Sequence, residues 1–279
     1  MKWFFAVFSL FISLLVKPLA AHVEVRQSRL ESAIPFSEPL QKLLEYFGIS
    51  KDVPFSQVLF ETQKLWLQKG KERWEFDARY ESLKPQLWPL FEEMGLLKQI
   101  KPKKSRYDYA LVHGALLSRV KERVDYLTSL YQEGIRFDSI VFLTGARPLE
   151  ESEKKQLEGL RTEREMAEWV YERSHLPKEI PVLFIDAPMK SSKEGVLVRP
   201  QTADTVFYWL KTGPQPGSCL AISNQPYVAY QDAVIHHYLP DVFELETAGP
   251  AASGSPSVAI LLDTIAKEIY EKAFSDDLW

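Results

Sequence analysis

The feature that most constrains this chain is an alternation of short apolar runs and amphipathic helical patterns that begins near residue 107. The apolar runs span residues 109–112, 139–143, 181–185, 219–222 and 242–246. Glycine, proline or polar residues bound each run, and apolar residues at helical spacing follow it. Runs of this length are typical of buried strands, and their alternation with helices predicts a parallel sheet covered on both faces.

Connections between parallel strands are right-handed and place helices on the two faces of the sheet. The alternation therefore predicts an α/β fold with a Rossmann-like, doubly wound and mainly parallel sheet of about five strands within residues 104–279. Residues 22–103 carry apolar and aromatic residues at helical spacing, which predicts an N-terminal helical extension. A basic segment at residues 101–106 joins the two parts and is typical of a solvated linker.

The N-terminus has the pattern of a targeting segment. Lys2 precedes an apolar run over residues 3–16, and small residues near Ala21 suit a signal peptidase. The run is shorter than the roughly 20 residues that span a bilayer. We therefore expect a signal peptide over residues 1–21 and an exported protein, periplasmic or secreted, with no transmembrane span after cleavage. The alternatives are an uncleaved membrane anchor and a buried N-terminal helix.

Charge and cysteine content argue against several classes of protein. The formal net charge is −4 and the isoelectric point is near 5.8, so we expect no nucleic-acid partner. Cys219 is the only cysteine, which rules out an intramolecular disulfide, and its apolar surroundings predict a buried, inert thiol. His236 and His237 are adjacent on a predicted helix and face about 100° apart, so we predict no metal site there.

Polar residues follow the predicted strands at the point where each one ends. Because the carboxyl ends of parallel strands share one edge of a sheet, we expect these residues to line a ligand crevice with the helix that begins near residue 202. Glycine turns and helix N-termini favour an anion there, and the guanidinium of Arg147 suits a phosphate or carboxylate. Taken singly, each residue could instead be a helix cap or a turn former. The group comprises His113, Thr144, Gly145, Arg147, Asp186, Thr202, Asp204, Ser223 and Asn224.

Familiar nucleotide-binding and hydrolase motifs are missing from the sequence. No GxGxxG follows the first apolar run, which disfavours an NAD or FAD site, and there is no GxxxxGK[ST] phosphate loop. The GxSxG turn of α/β-hydrolases is also missing. The sequence therefore identifies no cofactor.

Several short motifs occur in a fixed order along residues 107–248. Arg123 lies in the predicted helix that ends in Leu-Tyr-x-x-Gly at residues 130–134. The motifs that follow are residues 144–146, Glu163 with Met166, residues 202–206 and residues 222–227. This series resembles the DUF218 family of SanA/ElyC/YdcF-like bacterial proteins. The resemblance implies a Rossmann-like fold and a role in the bacterial envelope.

Three positions depart from the pattern of that family. Val228 and Gln231 fall near the family's histidine and arginine, and Thr205 stands in place of its asparagine. The family's histidine, arginine and asparagine therefore have no counterpart at these positions of the chain.

Two functional hypotheses follow from the crevice and the resemblance. The first is an exported envelope enzyme that acts on a phosphorylated or nucleotide-like metabolite, with His113 transferring a proton and Asp204 acting as a base or orienting a partner. The alternative is a catalytically degenerate protein that binds a ligand, or one that binds a host or partner protein through the aromatic helical region. The residues predicted to bind the ligand are Arg123, Thr144, Gly145, Arg147, Thr202, Ser223 and Asn224.

Overall fold

The centre of the molecule is a five-stranded parallel sheet. The computed structural model describes residues 30–32, 36–50, 52–71, 75–76, 78–192 and 195–274, so the predicted signal peptide lies outside the described residues. The strands are β1 (Arg106–His113), β2 (Arg136–Leu143), β3 (Val182–Phe184), β4 (Lys190–Ser191), β5 (Leu197–Val198), β6 (Ser218–Ile222) and β7 (Glu244–Ala248). The sheet has the spatial order β3-β2-β1-β6-β7, and a separate antiparallel hairpin is formed by β4 and β5.

Helices cover both faces of this sheet, which confirms the predicted Rossmann-like fold. In chain order they are α1 (Glu38–Tyr46), α2 (Phe55–Leu65), α3 (Lys84–Glu93), α4 (Leu117–Gln132), α5 (Glu151–Lys154), α6 (Glu163–Glu172), α7 (Thr202–Leu210), α8 (Val228–Tyr238) and α9 (Val258–Phe274). On one face, Leu127 of α4 and Met166 of α6 share a core with Ile140 of β2. On the other, Trp209 of α7 and Ile235 of α8 pack in a core with the sheet. We refer to these as the α4–α6 face and the α7–α8 face.

The N-terminal helices form a second core with the last helix of the chain. Buried residues of α1, α2 and α3 pack with those of α9, and we call these four helices the helical module. Gln63 Nε2 donates to the carbonyl of Ala266 at 2.7 Å, and the backbone N–H of Gln68 donates to Asp263 Oδ1 at 2.9 Å. Although residues 258–274 follow the sheet in sequence, they therefore complete the core of the helical extension.

The helical module is also attached to the loop that follows β6. Gln225, which is buried in that loop, donates from Nε2 to the carbonyls of Gly95 at 2.6 Å and Lys98 at 2.9 Å. Ile100 forms an antiparallel bridge with Gly249 after β7. The segment that leaves the module thus holds the carboxyl end of β6 in place.

Two further sequence predictions bear on the part of the chain that the structure describes. Within those residues, no helix combines the length and the apolar character needed to cross a bilayer. Cys219 is fully buried in β6, as predicted, and burial raises the pKa of its thiol to about 12.

Candidate functional site at the strand ends

The order of the strands reverses between β1 and β6, and a buried arginine spans this point. Arg123, on α4, donates from Nη1 to the carbonyls of His113 and Gly114, both at 2.8 Å. Its Nε and Nη2 donate to Asn224 Oδ1 at 3.0 and 2.9 Å. Ligands of open α/β sheets bind where the strand order reverses. Arg123, predicted to bind an anion, thus joins the ends of β1 and β6 to each other.

The second predicted anion-binding arginine is paired with a carboxylate of the same chain. Arg147 donates from Nη1 to Glu153 Oε2 at 2.9 Å and from Nη2 to Glu153 Oε1 at 3.2 Å. Glu153 lies on α5 and also accepts the backbone N–H of Leu117 at 2.9 Å, at the start of α4. Helix N-termini attract anions because their first N–H groups have no partner within the helix. The internal carboxylate of Glu153 occupies that position here.

A second internal carboxyl group lies between the turns that follow β1 and β2. Glu163 Oε2 accepts the backbone N–H of Gly145 at 3.1 Å, and Glu163 Oε1 is 3.6 Å from Arg147 Nε. A Cβ atom at Gly114 would lie only 2.9 Å from this carboxyl group, so the close approach requires glycine. The carboxyl group of Glu163 therefore packs directly against the turn that follows β1.

Burial affects the two carboxyl groups in different ways. Burial raises the pKa of Glu163, and the charge of Arg147 and the amide of Gly145 only partly oppose it. Burial also acts to raise the pKa of Glu153, but the hydrogen bonds from Arg147 and from backbone amides hold that pKa below its usual value. Glu153 is thus a stable anion, whereas Glu163 holds a proton more readily than an exposed glutamate. We call Arg123, Arg147, Glu153 and Glu163 the charged cluster.

The α7–α8 face of the same strand ends carries uncharged polar groups. The pairing of Val112 with Ile222 makes His113 and Ser223 neighbours one position further on. Thr247 pairs with Ala221 on the next strand, and side-chain alternation places His113, Ser223 and Thr247 on the α7–α8 face. We call these three residues the neutral cluster.

Each residue of the neutral cluster has a buried side-chain atom without a partner among the described residues. His113, Ser223 and Thr247 are 2%, 0% and 7% exposed. Within the described residues, His113 Nε2, Ser223 Oγ and Thr247 Oγ1 have no hydrogen-bond partner. Burial, with a contribution from the charge of Arg123, lowers the pKa of His113 to about 3. The imidazole is therefore neutral across the physiological pH range, and its role in proton transfer stays a prediction.

The remaining predicted site residues of the α7 region have defined local roles. Asp204 Oδ2 accepts the backbone N–H of Gln201 at 2.7 Å and the ammonium of Lys190 at 2.5 Å, so Asp204 forms part of a capping box at the start of α7. Thr202 donates from Oγ1 to Gln231 Oε1 at 2.8 Å, which joins α7 to α8. The predicted role of Asp204 as a base stays untested beside this capping role.

The turn after β2 packs tightly against neighbouring segments. Thr144 donates from Oγ1 to the carbonyl of Ile185 at 2.5 Å, and Gly145 forms a bridge with Ala187. A side chain at Gly145 would collide with the ring of Pro200. Thr144 and Gly145 therefore fix the end of β2 against the segment between β3 and α7.

Sequence reasoning did not select Glu153, Glu163 or Thr247 as site residues. Glu153 lies in a highly charged segment, residues 150–160, and this composition gives no sign of which carboxylate turns inward. Glu163 appeared only as a motif match beside Met166. Thr247 follows an apolar run, and only the register of the sheet reveals its position beside β6.

Comparisons with known proteins assign no family and no function to this site. The chain matches no protein-family model, no curated protein and no solved structure. Among the residues described, no group of three or more histidine, cysteine, aspartate and glutamate side chains is arranged to hold a metal ion. The functional argument therefore depends on the charged and neutral clusters themselves.

Proposed function

We propose that this protein is an exported, DUF218-like envelope protein that recognises a small ligand at the strand ends without converting it. The observation that carries the proposal is the carboxylate of Glu153, which accepts hydrogen bonds from Leu117 N–H and from Arg147. An enzyme that used this position for a substrate phosphate would need it free. Here the chain supplies the anion itself.

The state of the other charged groups supports recognition without turnover. The guanidinium of Arg123 makes four hydrogen bonds to His113, Gly114 and Asn224. An incoming anion would have to compete with these bonds and with two carboxylates. His113, with a pKa of about 3, stays neutral near pH 7, which makes it a poor acid–base catalyst.

One observation favours the enzymatic alternative, in which a phosphorylated or nucleotide-like metabolite is the substrate. The pKa of Glu163 is raised by burial at the strand ends, and shifts of this kind are frequent among catalytic carboxyl groups. In this alternative Glu163 exchanges a proton with the substrate, a role that was not assigned to it from the sequence.

A ligand screen on the purified chain separates the two functions. Thermal shifts would be measured against ATP, a nucleotide sugar, S-adenosylmethionine, a polyprenyl phosphate analogue and neutral sugars, with mass spectrometry of each mixture for products. A ligand present at about 100 times its Kd should stabilise the protein by about 2.7 kcal/mol. We expect a saturable shift without product.

The variant Glu163→Gln tests whether any product formed in this screen depends on the carboxyl group of Glu163. Product formation by the natural chain that is lost in Glu163→Gln would establish the enzymatic alternative. Glu172→Gln is the matched control, because Glu172 lies on the same helix with a side chain that is 72% exposed. If no compound shifts the melting temperature, ligand recognition at the strand ends is contradicted.

A further inference from the structure

The neutral cluster is a set of buried polar groups on three adjacent strands. Neighbouring strands lie about 4.8 Å apart, so the side chains of His113 on β1 and Ser223 on β6 lie side by side. Thr247 lies on β7, two positions before the level of Ser223. The ladder continues past the end of β6, where the backbone N–H of Ser223 donates to the carbonyl of Ala248 at 3.0 Å. The backbone here is thus paired, while the side chains are not.

Unpaired buried polar groups are rare because each one forgoes its hydrogen bonds to water. His113 and Ser223 are neighbours at the point where open α/β sheets bind ligands, and Thr247 lies on the next strand, two positions before them. Elsewhere at the same strand ends, Arg123, Thr144 and Glu163 all have partners.

Among the described residues, Gln225 Oε1 in the loop after β6, and Trp66 Nε1 and Gln68 Oε1 after α2, also lack partners. The neutral cluster differs from these atoms because its three residues lie on neighbouring strands beside the point where the strand order reverses, which favours partners from outside the chain.

The chemistry of the three side chains defines the partner. Two hydroxyl groups can each donate and accept, and the imidazole of His113 offers one further acceptor or donor at Nε2. None of the three carries a charge near pH 7, and a buried charge without a counter-charge is strongly unfavourable. A small uncharged group with both donor and acceptor capacity matches this set, whereas a phosphate does not.

Helices α7 and α8 begin at the same end of the sheet as the neutral cluster. Their first turns are joined by the hydrogen bond from Thr202 to Gln231, and both side chains are uncharged. Gln231 is buried and Thr202 is only partly buried, so this uncharged pair reaches solvent through Thr202 at the same end of the sheet as the neutral cluster.

We propose that His113, Ser223 and Thr247 bind hydroxyl groups of a small neutral ligand of the polyol or sugar class. The proposal builds on the ligand-recognition function above and names its ligand class. It places the ligand on the α7–α8 face, away from the carboxylates of Glu153 and Glu163.

Nitrogen NMR of histidine in the full chain tests this proposal. The probes are glycerol, ribose and N-acetylglucosamine, with ribose 5-phosphate and inorganic phosphate as charged counterparts. We expect a neutral probe to shift the Nε2 resonance of His113 saturably, and the charged compounds to leave it unchanged. Binding should weaken at least tenfold in Ser223→Ala and in Thr247→Val. Ser129→Ala on α4, outside the neutral cluster, should bind like the natural chain.

The contrary outcomes differ in how much of the two proposals they overturn. A shift caused by phosphate compounds alone would overturn the neutral ligand class. A thermal shift with any compound that leaves His113 unchanged would overturn the site but keep the recognition function. The Nε2 resonance of His113 could instead report a hydrogen bond to bound water and respond to no probe. That result would also contradict ligand binding at the neutral cluster. The absence of any thermal or NMR response would overturn both proposals.

Discussion

The charged cluster and the neutral cluster lie on opposite faces of the same strand ends and differ in how their polar atoms are satisfied. The charged cluster is closed by contacts within the chain: Arg147 binds Glu153, and Arg123 binds the ends of β1 and β6. The neutral cluster has buried polar atoms without such partners in the described part of the chain. The charged groups are therefore paired within the chain, whereas the uncharged groups on the opposite face are not.

This difference follows from the cost of burial. A buried ion without a counter-charge is too costly to keep, so each charge had to be matched by the chain itself. A buried hydroxyl or neutral imidazole costs much less and can stay unpaired until a ligand or a water molecule arrives. In a site that combines charged and uncharged polar groups, the uncharged groups are therefore the ones that remain able to form hydrogen bonds to a ligand.

Among the variants that test this comparison, Arg147→Met is expected to change the free energy of unfolding most. It leaves Glu153 and Glu163 buried beside each other without the guanidinium, and we expect the free energy of unfolding to fall by about 3–5 kcal/mol. Urea denaturation followed by circular dichroism measures the change. Adding Glu153→Gln should recover part of the loss, and Arg173→Met, at an exposed arginine, should have little effect. A loss below about 1 kcal/mol in Arg147→Met would show that the charged cluster is not closed as described.

A smaller effect is expected for Arg123→Met. The variant leaves Asn224 Oδ1 and the carbonyls of His113 and Gly114 without the hydrogen bonds that Arg123 donates. We expect a loss of about 2–4 kcal/mol in the free energy of unfolding, again measured with urea. Arg123→Lys keeps the charge but not the fork of donors, so it should recover only part of the loss. Full recovery by lysine would contradict the role of the hydrogen bonds.

The neutral cluster should make stability depend on pH in one direction. His113 has a pKa of about 3 in the folded protein and an ordinary pKa near 6.5 when unfolded. As the pH falls from 7 to 5, the unfolded chain binds a proton at this residue and the folded chain does not, so about 2 kcal/mol of stability is lost. Urea titrations at both pH values should show a smaller loss in His113→Asn. Equal losses in the two proteins would mean that the folded imidazole titrates normally.

The smallest effects are expected for Ser223→Ala and Thr247→Val. Each variant removes a hydroxyl group that has no partner among the described residues, so the free energy of unfolding should change by less than about 1 kcal/mol, or rise slightly. Thr144→Val is the matched comparison, because the Thr144 hydroxyl donates to Ile185, and it should cost about 1–2 kcal/mol. A loss above about 2 kcal/mol in either neutral-cluster variant would indicate an internal partner and remove the contrast between the two sides.

The sheet could be predicted because its signals are local. The apolar run at residues 139–143 falls within β2, and the run at residues 219–222 falls within β6. Four of the runs end within one residue of the end of their strand, because turn residues interrupt the apolar pattern. The run at residues 242–246 stops two residues before the end of β7 at Ala248. These features depend on periodicity over a few residues and need no knowledge of distant contacts.

The partners of the site residues could not be predicted in the same way. Glu153 reaches Leu117 across 36 positions, and Asn224 reaches Arg123 across 101. Such pairs depend on how the segment after β2 and the loop after β6 are placed in three dimensions. Asp204 was selected because it lies in the first turn of the predicted helix at the crevice. Its capping role was missed because the cap at Gln201 does not fit the usual Ser/Thr-x-x-Glu signature of a capping box.

The helical module also constrains how the chain acquires its structure during synthesis. Gln63 and Ala266 are hydrogen-bonded across 203 positions, so α1 to α3 leave the ribosome long before α9 exists. Until then α1 to α3 lack the part of their shared core that α9 supplies. Contacts this distant in sequence slow folding and prolong the exposure of apolar surface. The core of the helical module is therefore completed only after the whole sheet has been synthesised.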